Sequence, residues 1–223
     1  MESKTVNQNP AAMSAVSFGR GARLFVWSVW LVMILIALVC IAKYGRNIPL
    51  CEDWLLVAPL TGNEPDLVGW LWAQNNEHRT PLPRLILLGL LKVTGDFRVG
   101  MYFNVITLGV LAFFLIQFAR FLRRGRTSFA DAFFPIILLH MGNWENLVFN
   151  WQVHFVLPVA LICGVLLVII CHPTLATGWA AVFSGSCLIL LTPVRSHWSA
   201  ICPSTSAMAQ LLRSASLVLG QNQ

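Results

Sequence analysis

Two adjacent carboxylates, Glu52 and Asp53, are the residues of this sequence best suited to acid–base chemistry. A carboxylate can remove a proton from an attacking hydroxyl, and partial burial raises its pKa towards the range in which it works as a base. Carboxylate oxygens are also preferred ligands of divalent cations, so this pair is where we expect such a cation to bind if one is used. The alternative is a solvated loop acid or a helix cap before Trp54.

A second group of candidates follows some 25 residues later and comprises His78, Arg79 and Arg84. The planar fork of an arginine donates two parallel hydrogen bonds to a phosphate, and a neighbouring histidine can share that load. We therefore interpret the group as a phosphate-binding segment. The alternative is a charged loop at the level of the lipid headgroups, where the arginines simply meet lipid phosphate.

A third group, Glu145, Asn146 and Gln152, lies between apolar segments and beside Trp144 and Trp151. Amide, carboxylate and indole groups together suit the hydroxyls and the apolar faces of a sugar. Such groups are costly beside lipid unless they are paired or line a wet cavity. The alternative is an interfacial loop with its aromatic belt. No Cys/His spacing predicts a zinc site, and we assign no metal-binding residue.

The composition determines which elements must position these residues. Of the 223 residues, 57% are hydrophobic and 11% are charged, against about 25% charged in an average soluble domain. This excludes a soluble enzyme, a disordered chain and a collagen-like fibre. Because about 20 apolar residues cross one bilayer, we predict an all-α polytopic transmembrane bundle of about five spans. The predicted spans are residues 24–42, 99–119, 127–141, 153–171 and 175–192.

The arginines predict the orientation of these spans. Residues 120–126 hold four arginines directly after the second span, and such clusters stay on the cytoplasmic side. The polar tail 1–23 is then cytoplasmic, and the loop 44–98, with six of the nine acids, faces outward. Within that loop we predict that the short apolar segment 82–94 is a helix in the membrane interface. The net charge of +6 is attributed to this topology, so the expected partner is the lipid bilayer and not a nucleic acid.

The order of these features resembles the GT-C superfamily of membrane glycosyltransferases, such as the protein-mannosyltransferase-like and aminoarabinose-transferase-like enzymes. The resemblance covers roughly residues 24–172. It rests on Glu52-Asp53-Trp54, on Asn76-Glu-His-Arg-Thr-Pro-Leu-Pro-Arg84, and on Gly95-Asp-Phe-Arg98 leading into the second span.

The resemblance implies transfer of a sugar from a polyprenyl-phosphate donor on the outer face of a bacterial inner or plasma membrane. It implies that Asp53 is the general base, with Glu52 as the alternative base, and that Arg79 and His78 stabilise the leaving phosphate. Glu145, Asn146 and Gln152 would orient sugar or acceptor.

Members of the superfamily are longer, and residues 193–223 form an atypical tail. The resemblance therefore suggests an N-terminal portion, truncated and inactive on its own. The alternative is a non-catalytic multi-pass protein: a subunit, a scaffold or a transporter fragment.

Overall fold

Helices dominate the computed structural model, which describes residues 10–75, 79–171 and 175–190. Its α-helices are α1 (Pro10–Tyr44), α2 (Val57–Leu60), α3 (Leu67–Trp72), α4 (Pro81–Thr94), α5 (Val99–Leu122), α6 (Phe133–Leu139), α7 (Trp144–Val148), α8 (Val153–Cys171) and α9 (Leu175–Leu190). Short 3-10 helices lie between them at Cys51–Leu56, Phe129–Ala132, Met141–Asn143 and Asn150–Gln152. These ranges contain no β-strand, and the predicted all-α helical bundle is confirmed.

Three helices are long and apolar enough to cross a membrane, namely Gly19–Tyr44, Val99–Leu122 and Asn150–Cys171. Their mean hydropathies are 2.9, 2.2 and 2.9. They coincide with the first, second and fourth predicted spans, because an uninterrupted apolar run of about 20 residues has few alternatives to a spanning helix. The length and composition of these three helices confirm the prediction of a membrane protein with transmembrane helices.

The structure differs from the prediction at the third segment, residues 127–141. A 3-10 helix, Phe129–Ala132, precedes α6, which has seven residues and is therefore roughly 10 Å long. A separate turn forms because the Ser128 side chain accepts a hydrogen bond from the Ala130 N–H. Helix α6 ends at Leu139, because the backbone of the next residue, His140, is extended. The segment is thus not one continuous helix. Helix α9 corresponds to the fifth predicted span, and the predicted tail 193–223 lies outside the described residues.

Helices α1 and α5 pack antiparallel. Val26 of α1 shares a buried cluster with Ile116 of α5, whereas Ile41 shares another with Met101. The part of α1 around Val26 is therefore close to the C-terminal part of α5, and the part around Ile41 is close to the start of α5. We call residues 19–25 with 120–132 the arginine end. The opposite end, residues 44–98 with 140–152, is called the acidic end.

Helix α4 confirms the predicted helix over residues 82–94, starting one residue earlier at Pro81. Proline is well placed there, since the first helical N–H needs no partner. Gly95 ends the helix with a φ of 65°, which glycine adopts without strain. One face of α4 packs Leu87 and Leu91 into the core, whereas Leu85 is exposed. The position of α4 in the membrane interface stays a prediction.

Candidate functional site

Asp53 lies in the 3-10 helix Cys51–Leu56 at the acidic end and is only 2% exposed. The Leu50 backbone N–H donates to its Oδ2 at 3.2 Å. The Asn150 side-chain amide, 97 residues later in the chain, donates to its Oδ1 at 2.8 Å. The structure therefore holds this candidate base between its own turn and the segment that leads into α8.

Burial raises the pKa of Asp53 to about 6, because a carboxylate loses its hydration there. The hydrogen bonds from Asn150 and Leu50 lower the pKa, and the neighbouring negative charge of Glu52 raises it, but burial dominates. Glu52 itself is half-buried. The carboxyl of Asp53 thus gains or loses its proton close to neutral pH, as a general base requires.

Helix α5 fixes the segment that carries Asn150. The Asn104 side-chain amide donates to the Phe149 carbonyl at 3.2 Å. One turn earlier, Gly100 lies against Asn150: a Cβ at position 100 would be 2.9 Å from the Asn150 carbonyl oxygen and would overlap the side-chain Oδ1. Only glycine allows this approach. The amide oxygens of Asn104 and Asn150 are buried and have no hydrogen-bond partner among the described residues.

His154, one turn after Asn150, extends the buried polar group. Its Nδ1 is 2.8 Å from the Trp151 carbonyl oxygen, which can only accept, so Nδ1 carries a proton. In the neutral ring, Nε2 then accepts a hydrogen bond from the Thr80 hydroxyl at 3.0 Å. The ring also stacks on Trp151 with centroids 4.1 Å apart. Thr80 and His154 are 3% and 2% exposed. Because Thr80 precedes α4 and His154 lies in α8, their hydrogen bond is a buried connection between the start of α4 and α8.

Arg84, a predicted phosphate-binding residue, is buried in the structure. Its Nη1 donates to the carbonyls of Trp70 at 2.5 Å and Ala73 at 2.8 Å. The guanidinium lies over the Trp70 ring, 5.3 Å from its centroid, and burial lowers the pKa of Arg84. These contacts satisfy carbonyls at the C-terminal end of α3. In the structure Arg84 therefore joins α3 to α4, and phosphate binding by Arg84 stays a prediction.

The other predicted phosphate-binding residues differ from Arg84. Arg79 is exposed, and no contact between described residues joins it to Asp53. His78 lies outside the described residues.

The predicted sugar-binding residues lie around α7, at the same end of the bundle. Glu145 is exposed and Gln152 is half-buried. The Asn146 side-chain amide donates to Asn143 Oδ1 at 2.6 Å. The hydrogen bond from Asn150 to Asp53 connects the segment after α7 with the candidate base.

The residues that sequence reasoning missed are Asn150, His154 and Thr80, which the predicted site did not include. A usable signal exists for two of them: Asn150 and His154 are four residues apart at the start of an apolar helix, and therefore share one face. Thr80 carries no comparable signal.

A metal site finds no support in the described part of the chain, which contains no group of three His, Cys, Asp or Glu residues able to hold a metal ion. Both oxygens of Asp53 already accept hydrogen bonds. Binding of a divalent cation by Glu52 and Asp53 stays a prediction.

Comparison with known proteins adds no relative: no protein-family model, no curated protein and no solved structure matches this chain. The resemblance to the GT-C superfamily therefore rests on the residues given above and stays a prediction. The site itself is the buried carboxyl of Asp53. It belongs to a group of buried polar side chains, Asp53, Asn104, Asn150, His154 and Thr80, which we call the polar junction. This junction joins the loop 44–98 to α5 and α8.

Proposed function

We propose that this protein is a membrane glycosyltransferase that transfers a sugar from a polyprenyl-phosphate donor to an acceptor hydroxyl. One observation carries the proposal: Asp53, at the acidic end and close to the start of a candidate span, has a pKa of about 6. A group with that pKa is mostly ionised at pH 7 and is still basic enough to take a proton in the transition state.

In the proposed reaction Asp53 takes the proton of the acceptor hydroxyl, whose oxygen forms a bond to the anomeric carbon of the sugar. The bond from that carbon to the phosphate oxygen breaks, and the polyprenyl phosphate leaves with the electron pair. The Asn150 amide now donates to Asp53 Oδ1. An acceptor hydroxyl is a donor of the same kind and would take its place. Glu52, the adjacent carboxylate, is the alternative base in this proposal.

The leaving phosphate needs a cation. Arg79 is exposed and its guanidinium has no hydrogen-bond or ion-pair partner among the described residues, and His78 is beside it in sequence. The Arg84 guanidinium, in contrast, is engaged by carbonyls. Glu145, Asn146 and Gln152 are proposed to orient sugar or acceptor. In this arrangement the acidic end faces the outer side of a bacterial inner or plasma membrane, and the N-terminus is cytoplasmic.

The test uses a photoreactive polyprenyl-phosphate analogue with the full chain in membranes. We expect specific labelling of the native protein, and about tenfold weaker labelling of Arg79→Ala, because a charge-assisted hydrogen bond is worth about 1.5–3 kcal/mol. Arg46→Ala, which removes another exposed arginine at the acidic end, is the matched control and should label normally. Asp53→Asn should label normally but transfer no sugar. Labelling that is equal in all four proteins would exclude a polyprenyl-phosphate site that includes Arg79.

A second candidate is a non-catalytic membrane subunit or scaffold. It is favoured by the burial of Asp53, whose oxygens both have partners. In that case the carboxyl joins the loop to α8. Asp53→Asn would then lower the amount of folded protein in the membrane, and the analogue would label nothing specifically.

A further inference from the structure

The arginine end concentrates positive charge that neither the fold nor the proposed reaction uses. Its cations are Arg20, Arg23, Arg120, Arg123, Arg124 and Arg126. The one described acid among residues 19–25 and 120–132 is Asp131. Asp131 is buried and forms an ion pair with Arg123. The other described acids lie at the acidic end, so this end keeps a large positive excess.

Packing brings the arginines of two helices to the same level. The Phe25 ring contacts Phe129, with centroids 5.4 Å apart, and Val26 and Ile116 share a buried cluster. Arg23 precedes Val26 by three residues, and Arg120 follows Ile116 by four. Since each residue adds about 1.5 Å along a helix, both arginines lie about one turn beyond the same contact.

The turn after α5 directs charge away from the core. Arg124 and Gly125 adopt positive φ values of 54° and 86°, and the Gly125 N–H donates to the Arg120 carbonyl at 2.8 Å. This ends the helix within one turn. Arg124 and Arg126 are exposed, and no described side chain pairs with either of them. Their guanidiniums are available to a ligand.

Exposed apolar side chains lie beside the arginines of this end in the sequence. Leu24 is 71% exposed, Phe121 65% and Leu122 60%. A surface that offers apolar groups and guanidiniums within one helical turn matches a phospholipid, whose acyl chains and phosphate are equally close together. A soluble anion would leave the apolar groups uncovered.

We propose that the arginine end binds anionic phospholipid through its headgroup phosphate, with Arg124 and Arg126 as the principal ligands and Arg20 and Arg23 completing the surface. Arg123 is not a ligand, because Asp131 engages it. The occupant is a lipid of the surrounding leaflet. Each basic residue near an anionic membrane surface contributes roughly a fivefold gain in affinity.

The experiment measures the affinity of the purified full-length protein, in neutral detergent, for dioleoylphosphatidylglycerol and for dioleoylphosphatidylcholine. We expect the anionic lipid to bind at least about tenfold more tightly, with a preference that weakens as salt is added. The double variant Arg124→Gln, Arg126→Gln should bind the anionic lipid about 25-fold more weakly. Arg124→Lys, Arg126→Lys should restore most of the affinity. The matched control, Lys43→Gln with Arg46→Gln, removes two exposed cations from the other end of α1 and its following loop, and should change the affinity less than about twofold.

Three outcomes would overturn the proposal: equal affinity for the two lipids, an equal loss in the control variant, or displacement of the lipid by inorganic phosphate at matched concentration. The last would mean that the site recognises phosphate alone. None of these measurements depends on glycosyl transfer.

Discussion

The two ends of the bundle each bury one aspartate, and the same local geometry places both. Asp53 and Asp131 are each the third residue of a 3-10 helix, and each is 2% exposed. Each carboxylate accepts a hydrogen bond from the backbone N–H three residues earlier, that of Leu50 at 3.2 Å and that of Ser128 at 3.0 Å. The local backbone geometry therefore does not distinguish the two sites.

The side-chain partner of the carboxylate distinguishes the two sites. Asp131 pairs with the guanidinium of Arg123, which compensates its charge, whereas Asp53 pairs with the neutral amide of Asn150. A buried carboxylate without a cation is stabilised only by hydrogen bonds, so the cost of burial dominates, and the pKa of Asp53 rises to about 6. We infer that the Asp131 pair is structural, whereas Asp53 can exchange its proton near neutral pH.

The largest effect is expected from Arg123→Ala, which removes the cation that pairs with Asp131 at the arginine end. It leaves the Asp131 carboxylate buried and unpaired, which costs about 3 kcal/mol of unfolding free energy. The Arg123 side chain is 39% exposed, so water can partly replace it, and the loss should lie at the low end of the range for buried pairs. Unfolding in detergent micelles measures it.

Arg126→Ala is the matched control, since it removes an exposed arginine of the same turn that no described side chain contacts. It should change the unfolding free energy by less than about 0.5 kcal/mol. If both variants lose the same unfolding free energy, the ion pair contributes nothing to stability. The charge compensation by Arg123 would then not distinguish Asp131 from Asp53.

The second effect is a pH dependence at the acidic end. The pKa of Asp53 is raised by folding from 3.8 to about 6, so the folded state binds the proton more tightly. The stabilisation from this proton is present at low pH and is lost as the pH rises towards 6. From pH 4.5 to 7.5 the loss amounts to about 2 kcal/mol.

Asp53→Asn removes the carboxyl group that binds this proton. Its unfolding free energy, measured relative to the native protein, should therefore improve by about 2 kcal/mol from pH 4.5 to 7.5. Asp66→Asn, at an exposed N-cap whose side chain accepts from the Gly69 N–H, removes an acid at the same end and keeps the cap. A pH dependence that is the same in the Asp53 and Asp66 variants would contradict the raised pKa.

The sequence was sufficient to predict the helical bundle, because long apolar runs leave few alternatives to spanning helices. It also pointed to Asp53, through its adjacent acid; the structure buries this residue, and its role as a base stays a prediction. It did not identify Asn150 as the partner of Asp53, since the two are 97 residues apart and their contact exists only after α5 and α8 have packed.

Arg84 and the third segment show two further limits. An arginine suits a phosphate and a backbone carbonyl equally well, and only the tertiary structure brings the Trp70 and Ala73 carbonyls to Arg84. Residues 127–141 matched a span in composition, but Ser128 and Asp131 form a local cap there. A capping signal within an apolar run therefore indicates a break in the helix that hydropathy alone does not show.

The smallest effect tests whether the polar junction extends beyond Asp53. The arginine end has one isolated ion pair, whereas at the acidic end Asn150 is followed by His154, whose Nε2 lies 3.0 Å from the Thr80 hydroxyl. Thr80→Val keeps the shape of the side chain and leaves the histidine nitrogen buried without a partner, which should cost about 1 kcal/mol of unfolding free energy. Thr80→Ser keeps the hydroxyl and should cost less.

The control for this prediction is Thr94→Val, at the other end of α4. The Thr94 hydroxyl donates to the Leu90 carbonyl at 2.8 Å in an exposed position, where water can replace it, so the change should stay within about 0.5 kcal/mol. Equal losses at positions 80 and 94 would mean that the His154 contact adds nothing to stability, and the junction would then reduce to the Asp53–Asn150 pair. A loss confined to position 80 would make α4, and with it the segment that carries Arg79, part of the same buried polar unit as Asp53.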